Sequence, residues 1–171
     1  MKKFFLTICV VFACLSVSAQ KGEHNIGVQA LYGTDASNFG IGVKYQYNIL
    51  DDIRLEAVGD YYFKSDGFSM FDININGHYL FHFSKFTLYP LVGINFTHWK
   101  QENVFDMLEG YDGSYTDEFE VDSKDSSIGL NIGGGVQYNL TDKFRIGFEV
   151  KYQTISGAST AIIGLGVTYT L

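Results

Sequence analysis

Phe71-Asp72-Ile73-Asn74-Ile75-Asn76-Gly77-His78-Tyr79-Leu80-Phe81 alternates oily and polar residues along most of its length. Successive side chains of a β-strand point to opposite faces, so this stretch has one apolar face and one face of Asp, Asn and His. The same period of two recurs near 24–33, 39–48, 53–63, 70–81, 86–99, 127–140, 144–154 and 161–171. These segments predict eight strands, each long enough to cross a bilayer when tilted. The oily parity carries no Asp, Glu, Lys or Arg in any of them.

Alternation alone does not say what the oily face touches, and three features decide it. The other parity holds Gly40, Gly42, Gly129, Gly133, Gly135, Gly147, Gly164 and Gly166 among amides and hydroxyls. A water-exposed surface would be dense in Lys and Glu, whereas a narrow eight-stranded lumen needs small residues. Aromatics also sort by height. Tyr47, Tyr79, Phe81, Phe86, Tyr138, Phe144 and Tyr169 fall at one end, and Tyr32, Phe39, Tyr61, Phe63, Phe71, Phe96 and Tyr152 at the other. Two aromatic girdles around an aliphatic band match the headgroup levels of a membrane. Connections alternate in length: 49–52, 82–85 and 141–143 are short, while 34–38, 64–69, 100–126 and 155–160 lie at the other end and one is very long. Hydrocarbon offers backbone groups no hydrogen-bond partner, so a spanning sheet must close. The expected fold is all-β, an eight-stranded antiparallel up-and-down transmembrane β-barrel. A soluble periplasmic lipocalin-like ligand carrier, oily face inward, is the lowest-ranked alternative. Pro90 removes a ladder donor within the fifth segment and predicts a bulge or local distortion there.

The chain has 171 residues and a formal charge of −7, with 15 Phe and 12 Tyr. That size fits one domain, and the acidic balance argues against a nucleic-acid partner. Lys2 and Lys3 precede an apolar run ending at Leu15, followed by Ser16-Val17-Ser18-Ala19. This predicts a secretory signal peptide over 1–19, cleaved after Ala19, and a barrel domain over 20–171. Cys9 and Cys14 both fall inside it, so no thiol chemistry is expected of the mature chain. Val11-Phe12-Ala13-Cys14 offers the alternative of a lipidated Cys14.

Leu88-Tyr89-Pro90-Leu91-Val92-Gly93-Ile94, Gly133-Gly134-Gly135-Val136-Gln137-Tyr138 and Gly164-Leu165-Gly166-Val167-Thr168-Tyr169 carry a family resemblance. Over residues 24–171 the chain resembles the outer-membrane β-barrel domain proteins, the porin family akin to the transmembrane domain of OmpA. The resemblance implies residence in the cell outer membrane, surrounded by its lipid. It also implies that the last strand addresses the chain to the barrel-assembly machinery. An N-terminus in the periplasm and long loops outside the cell accord with the loop lengths.

Inside such a barrel the polar parity places Lys44, Arg54, Arg145 and Lys151 against Glu56, Asp60, Asp72 and Glu149, with His78 nearby. Asp60 and Lys151 fall at similar height across the lumen, and Lys44 and Glu56 on adjacent strands. Desolvated charges must pair, so this set reads as a structural plug, with a gated pore or ion path as the alternative. Arg54 and Glu149 superficially resemble an acid–base pair but read as structural. His98-Trp99-Lys100 lacks the serine of a His-x-Ser motif, which argues against a barrel-type lipid A deacylase. No catalytic, cofactor or metal constellation is expected.

One segment holds most of the negative charge. Glu102, Asp106, Glu109, Asp112, Asp117, Glu118, Glu120, Asp122 and Asp125 stand against Lys124 alone. Glu118, Glu120 and Asp122 alternate with Phe119 and Val121, as in a hairpin projecting above the membrane. The segment reads as a solvated extracellular loop, with a basic host or envelope partner as its functional reading. Clustered carboxylates also suit Ca²⁺, but no EF-hand spacing is present. The expectation is a monomeric, non-enzymatic barrel with a structural or surface-interaction role; the alternative is a narrow porin for ions or small solutes.

Overall fold

The computed structural model describes residues 21–35, 37–65, 68–101, 125–155 and 158–171. The expected signal peptide, Cys14 and the loop carboxylates from Glu102 to Asp122 lie outside these residues. Asp125 opens a strand.

The strands are β1 (His24–Gly33), β2 (Asn38–Asn48), β3 (Ile53–Ser65), β4 (Phe68–Tyr79), β5 (Phe81–Phe83), β6 (Phe86–Gln101), β7 (Asp125–Asn139), β8 (Phe144–Ile155) and β9 (Ala158–Thr170). Each pairs antiparallel with its neighbours, and β1 pairs with β9 while β4 pairs with β6, so the sheet closes on itself. β4 and β5 are two pieces of one barrel strand. His78 faces Leu91 and Phe81 faces Leu88 in a single unbroken register on β6. The result is an eight-stranded barrel.

The break between β4 and β5 corrects the expectation at Pro90. No residue is inserted, and Pro90 faces Gly134 of β7 in a register that runs unchanged from Phe86 to Trp99. The distortion sits on the other neighbour, where the ladder lapses at Tyr79 and Leu80, opposite the proline, and resumes at Phe81. A missing N–H deletes ladder bonds without requiring an extra residue. On the opposite side the β3 register continues, with the Leu80 amide donating to the Asp52 carbonyl at 2.8 Å.

Side-chain direction follows the parity read from the sequence. Val28, Val43, Val92 and Leu130 are each more than 60% exposed on the outside. Asp60, Asp72, Asn74 and Asn76 are fully buried inside. This inverts a soluble protein and removes the lipocalin alternative, in which the apolar face lines the interior. The girdles are built from touching rings. Tyr79–Phe81, Phe86–Tyr138 and Phe144–Tyr169 pair at the short-turn end, Tyr32–Phe39 and Tyr61–Phe63 at the other. Substituting Arg for Val43 or Ile75 in the band between them is expected to weaken folding into vesicles by about 2–4 kcal/mol, measured by denaturant titration. An unchanged midpoint would place this face outside the hydrocarbon.

Candidate functional site: the lumen and its short-turn mouth

Inward positions on β3 climb the lumen as Arg54, Glu56, Val58, Asp60 and Tyr62, and each meets partners from other strands. At the lowest level Arg54 donates from Nε to Asn48 Oδ1 (2.9 Å) and from Nη1 to Gln137 Oε1 (3.0 Å). One step higher, Glu56 Oε2 accepts from Gln46 (2.7 Å) and lies 3.5 Å from Lys44 Nζ. Its Oε1 accepts from Asn76 (3.2 Å) and lies 3.5 Å from His78 Nε2. Glu149 reaches in from β8 and accepts from the Tyr89 hydroxyl at 3.0 Å.

Two steps above Glu56, Asp60 accepts from Gln29 (2.8 Å) and Asn74 (3.1 Å), and Lys151 Nζ stands 3.5 Å away across the lumen. Gln153 links Asp72 (2.9 Å) and Thr97 (3.2 Å), while Asn131 donates to both Asn74 and Asn76. A buried charge needs partners of this kind. The amides supply it, because each carries two donors and an acceptor that can bridge strands.

The structure differs from the expected ledger at Arg145. Instead of joining the central network, Arg145 is half-buried at the short-turn mouth, where Nη1 donates to Glu23 and to Asn25 Oδ1. Glu23 precedes the first alternating segment, so strand parity gave no reason to count it. Burial pushes the Glu23 carboxyl up, but the hydrogen bond and charge of Arg145, with help from Asn25 and Arg54, hold it below the usual carboxylate range. This mouth opens into a cleft of about 700 Å³. Arg54, Arg145, Lys85, Lys143 and His82 line it, against Glu23 and Asp142.

Two apolar clusters inside the barrel were also missed. Leu31, Tyr62 and Ile162 pack with Met70, and Leu80, Tyr89 and Leu91 form a second cluster. All lie on the inward parity, where the expectation was polar. They fill cross-section that amides leave open. At the rim, His98 Nδ1 lies 3.0 Å from Ser126 Oγ on the neighbouring strand. The two face each other in the β6–β7 register. A His–Ser contact is still not an acyl-transfer site, which also needs a group orienting the imidazole and donors for the oxyanion.

This closed wall accords with comparisons to known proteins. No curated protein sequence matches the chain. Among solved structures, the N-terminal β-barrel domain of Pseudomonas aeruginosa OprF superposes with a TM-score of 0.63 at 18% identity, covering 88% of this chain and 98% of that one. Neisserial surface protein A gives 0.63 at 16% identity, with coverage of 86% and 95%. Ail, the attachment invasion locus protein of Yersinia pestis, gives 0.59 at 17% identity, with coverage of 89% and 100%. At these identities the likeness is one of fold. The family model described as outer membrane protein beta-barrel domain matches residues 5–170, and the chain belongs to that family.

Proposed function

We propose that this protein is a closed, non-conducting and non-enzymatic barrel that holds surface loops at the outer face of the outer membrane, with a structural or surface-interaction role. The packed lumen is the observation that carries this reading. Between Lys44, Gln46, Tyr89, Gln137 and Glu149 the interior keeps a cavity of about 10 Å³, room for one water. Ions crossing such a core would have to displace bonded amides and the two apolar clusters. In this reading residues 1–19 are removed on export, the short turns and N-terminus face the periplasm, and the barrel acts as a monomer after delivery by the assembly machinery.

Interaction then falls to the loops. Ail is known in complex with the heparin analogue sucrose octasulfate, a polyanion. The nine carboxylates between Glu102 and Asp125 would repel such a ligand, and the same charge density favours a basic partner. Deleting 101–125 is expected to abolish binding to a polycationic surface such as immobilised polylysine while leaving the folded barrel's gel mobility intact. The narrow-pore reading rests on the ion pairs Lys44–Glu56 and Lys151–Asp60, which a gate would have to break. Planar-bilayer recordings separate the two. The plug predicts silence, and discrete open-channel steps would overturn it.

A further inference from the structure

Glu56 of β3, His78 of β4 and Glu149 of β8 converge in the lower lumen, and each offers a ligand atom within 4.8 Å of the other two. All three are buried, and the His78 side chain is wholly closed to solvent. Two carboxylates this close repel each other. Lys44 offsets part of this: its Nζ is 3.5 Å from Glu56 Oε2, and it lines the same small cavity as Glu149.

The imidazole supplies an independent sign. Among the described residues neither ring nitrogen of His78 makes a hydrogen bond of normal geometry, although buried polar groups are nearly always satisfied. Its Nε2 points at Glu56 Oε1 from 3.5 Å. The ring is held there by stacking on Tyr89, with centroids 4.7 Å apart and planes 14° from parallel. Tyr89 also fixes Glu149 through its hydroxyl, and Asn76 and Gln46 fix Glu56. Hydrogen bonds of this kind orient ligating carboxylates in metal sites. With one water as a further ligand the set would be four-coordinate.

We propose that Glu56, His78 and Glu149 bind one divalent transition-metal cation of the zinc class inside the barrel. One imidazole nitrogen with two carboxylate oxygens suits zinc over the hard cations calcium and magnesium, which take all-oxygen shells. A dication between the carboxylates relieves their repulsion and gives His78 its missing partner. Because packed side chains enclose the site, the ion enters as the strands assemble, and binding is coupled to folding.

The test is to fold the protein into detergent micelles with zinc chloride present, desalt it by gel filtration, and measure retained metal by mass spectrometry. The expected result is about one zinc per barrel, lost at least about tenfold in His78→Asn and Glu149→Gln. Barrels lacking 101–125 should retain it, which separates the lumen from the acidic loop. Folding each variant is checked by its heat-dependent gel shift. Should a variant not fold, cobalt(II) in the unaltered protein provides a second reading: an imidazole nitrogen coupling in its paramagnetic resonance is expected. Zinc absent from the folded protein, zinc that survives His78→Asn, zinc that leaves with the loop, or cobalt without nitrogen coupling would each overturn the proposal.

Discussion

Lys151→Met is expected to destabilise the folded barrel by about 3–5 kcal/mol, the usual consequence of breaking a buried ion pair from one side. Lys151 and Asp60 are both essentially closed to solvent, and Lys151 is the cation that stands against Asp60, at 3.5 Å. Removing it leaves the buried carboxylate with the neutral hydrogen-bond donors Gln29 and Asn74 and with Lys44 as a more distant cation, among the described residues. Adding Asp60→Asn removes that charge while keeping an acceptor for the same donors. Most of the lost stability should therefore return in the double variant. Denaturant unfolding in micelles, followed through Trp99 fluorescence, reads both. A Lys151→Met barrel of unaltered stability, or a double variant whose losses simply add, would mean the pair is solvated.

Gly133→Leu is expected to prevent folding altogether. A Cβ built at Gly133 meets the Val150 carbonyl oxygen at 2.3 Å and the Lys151 Cα at 2.6 Å, both backbone atoms of the neighbouring strand. Backbone in a closed ladder cannot step aside, so the cost exceeds the roughly 1–3 kcal/mol typical of overpacking. Gly59 is the matched control, because it faces outward and its nearest neighbour would be Val43 Cγ2 at 4.0 Å. Gly59→Ala should fold normally. The readout is the compact, heat-sensitive band of a folded barrel on a gel, absent for Gly133→Leu and present for Gly59→Ala.

The wall of this barrel was legible because lipid imposes one rule on the outward residues of the mid-strand band. Val43, Ile75 and Leu130 can be placed outside from parity alone, and the aromatic girdles report height without any knowledge of pairing. The interior obeys no such uniform rule. Leu31, Tyr62, Leu80, Tyr89 and Leu91 sit inward because the lumen needs volume as well as polarity. Partnership inside depends on how far each strand slides along its neighbour, which one-dimensional alternation does not encode. That stagger brings Glu149 of β8 to Glu56 and His78, and sets Ser126 beside His98. Glu23 was missed for a simpler cause: it precedes the periodic segment, and only the closed mouth brings it to Arg145.

Everything rests on which face of the sheet meets the hydrocarbon. Nitroxide labels placed singly at Val43, Ile94 and Leu130, in a cysteine-free barrel reconstituted into lipid vesicles, report that directly through collision with dissolved oxygen or a water-soluble nickel chelate. All three positions are exposed outward at mid-strand. Strong relaxation by oxygen and almost none by nickel is the predicted result. Preferential relaxation by nickel at these positions would contradict it, because the apolar face would then be meeting water.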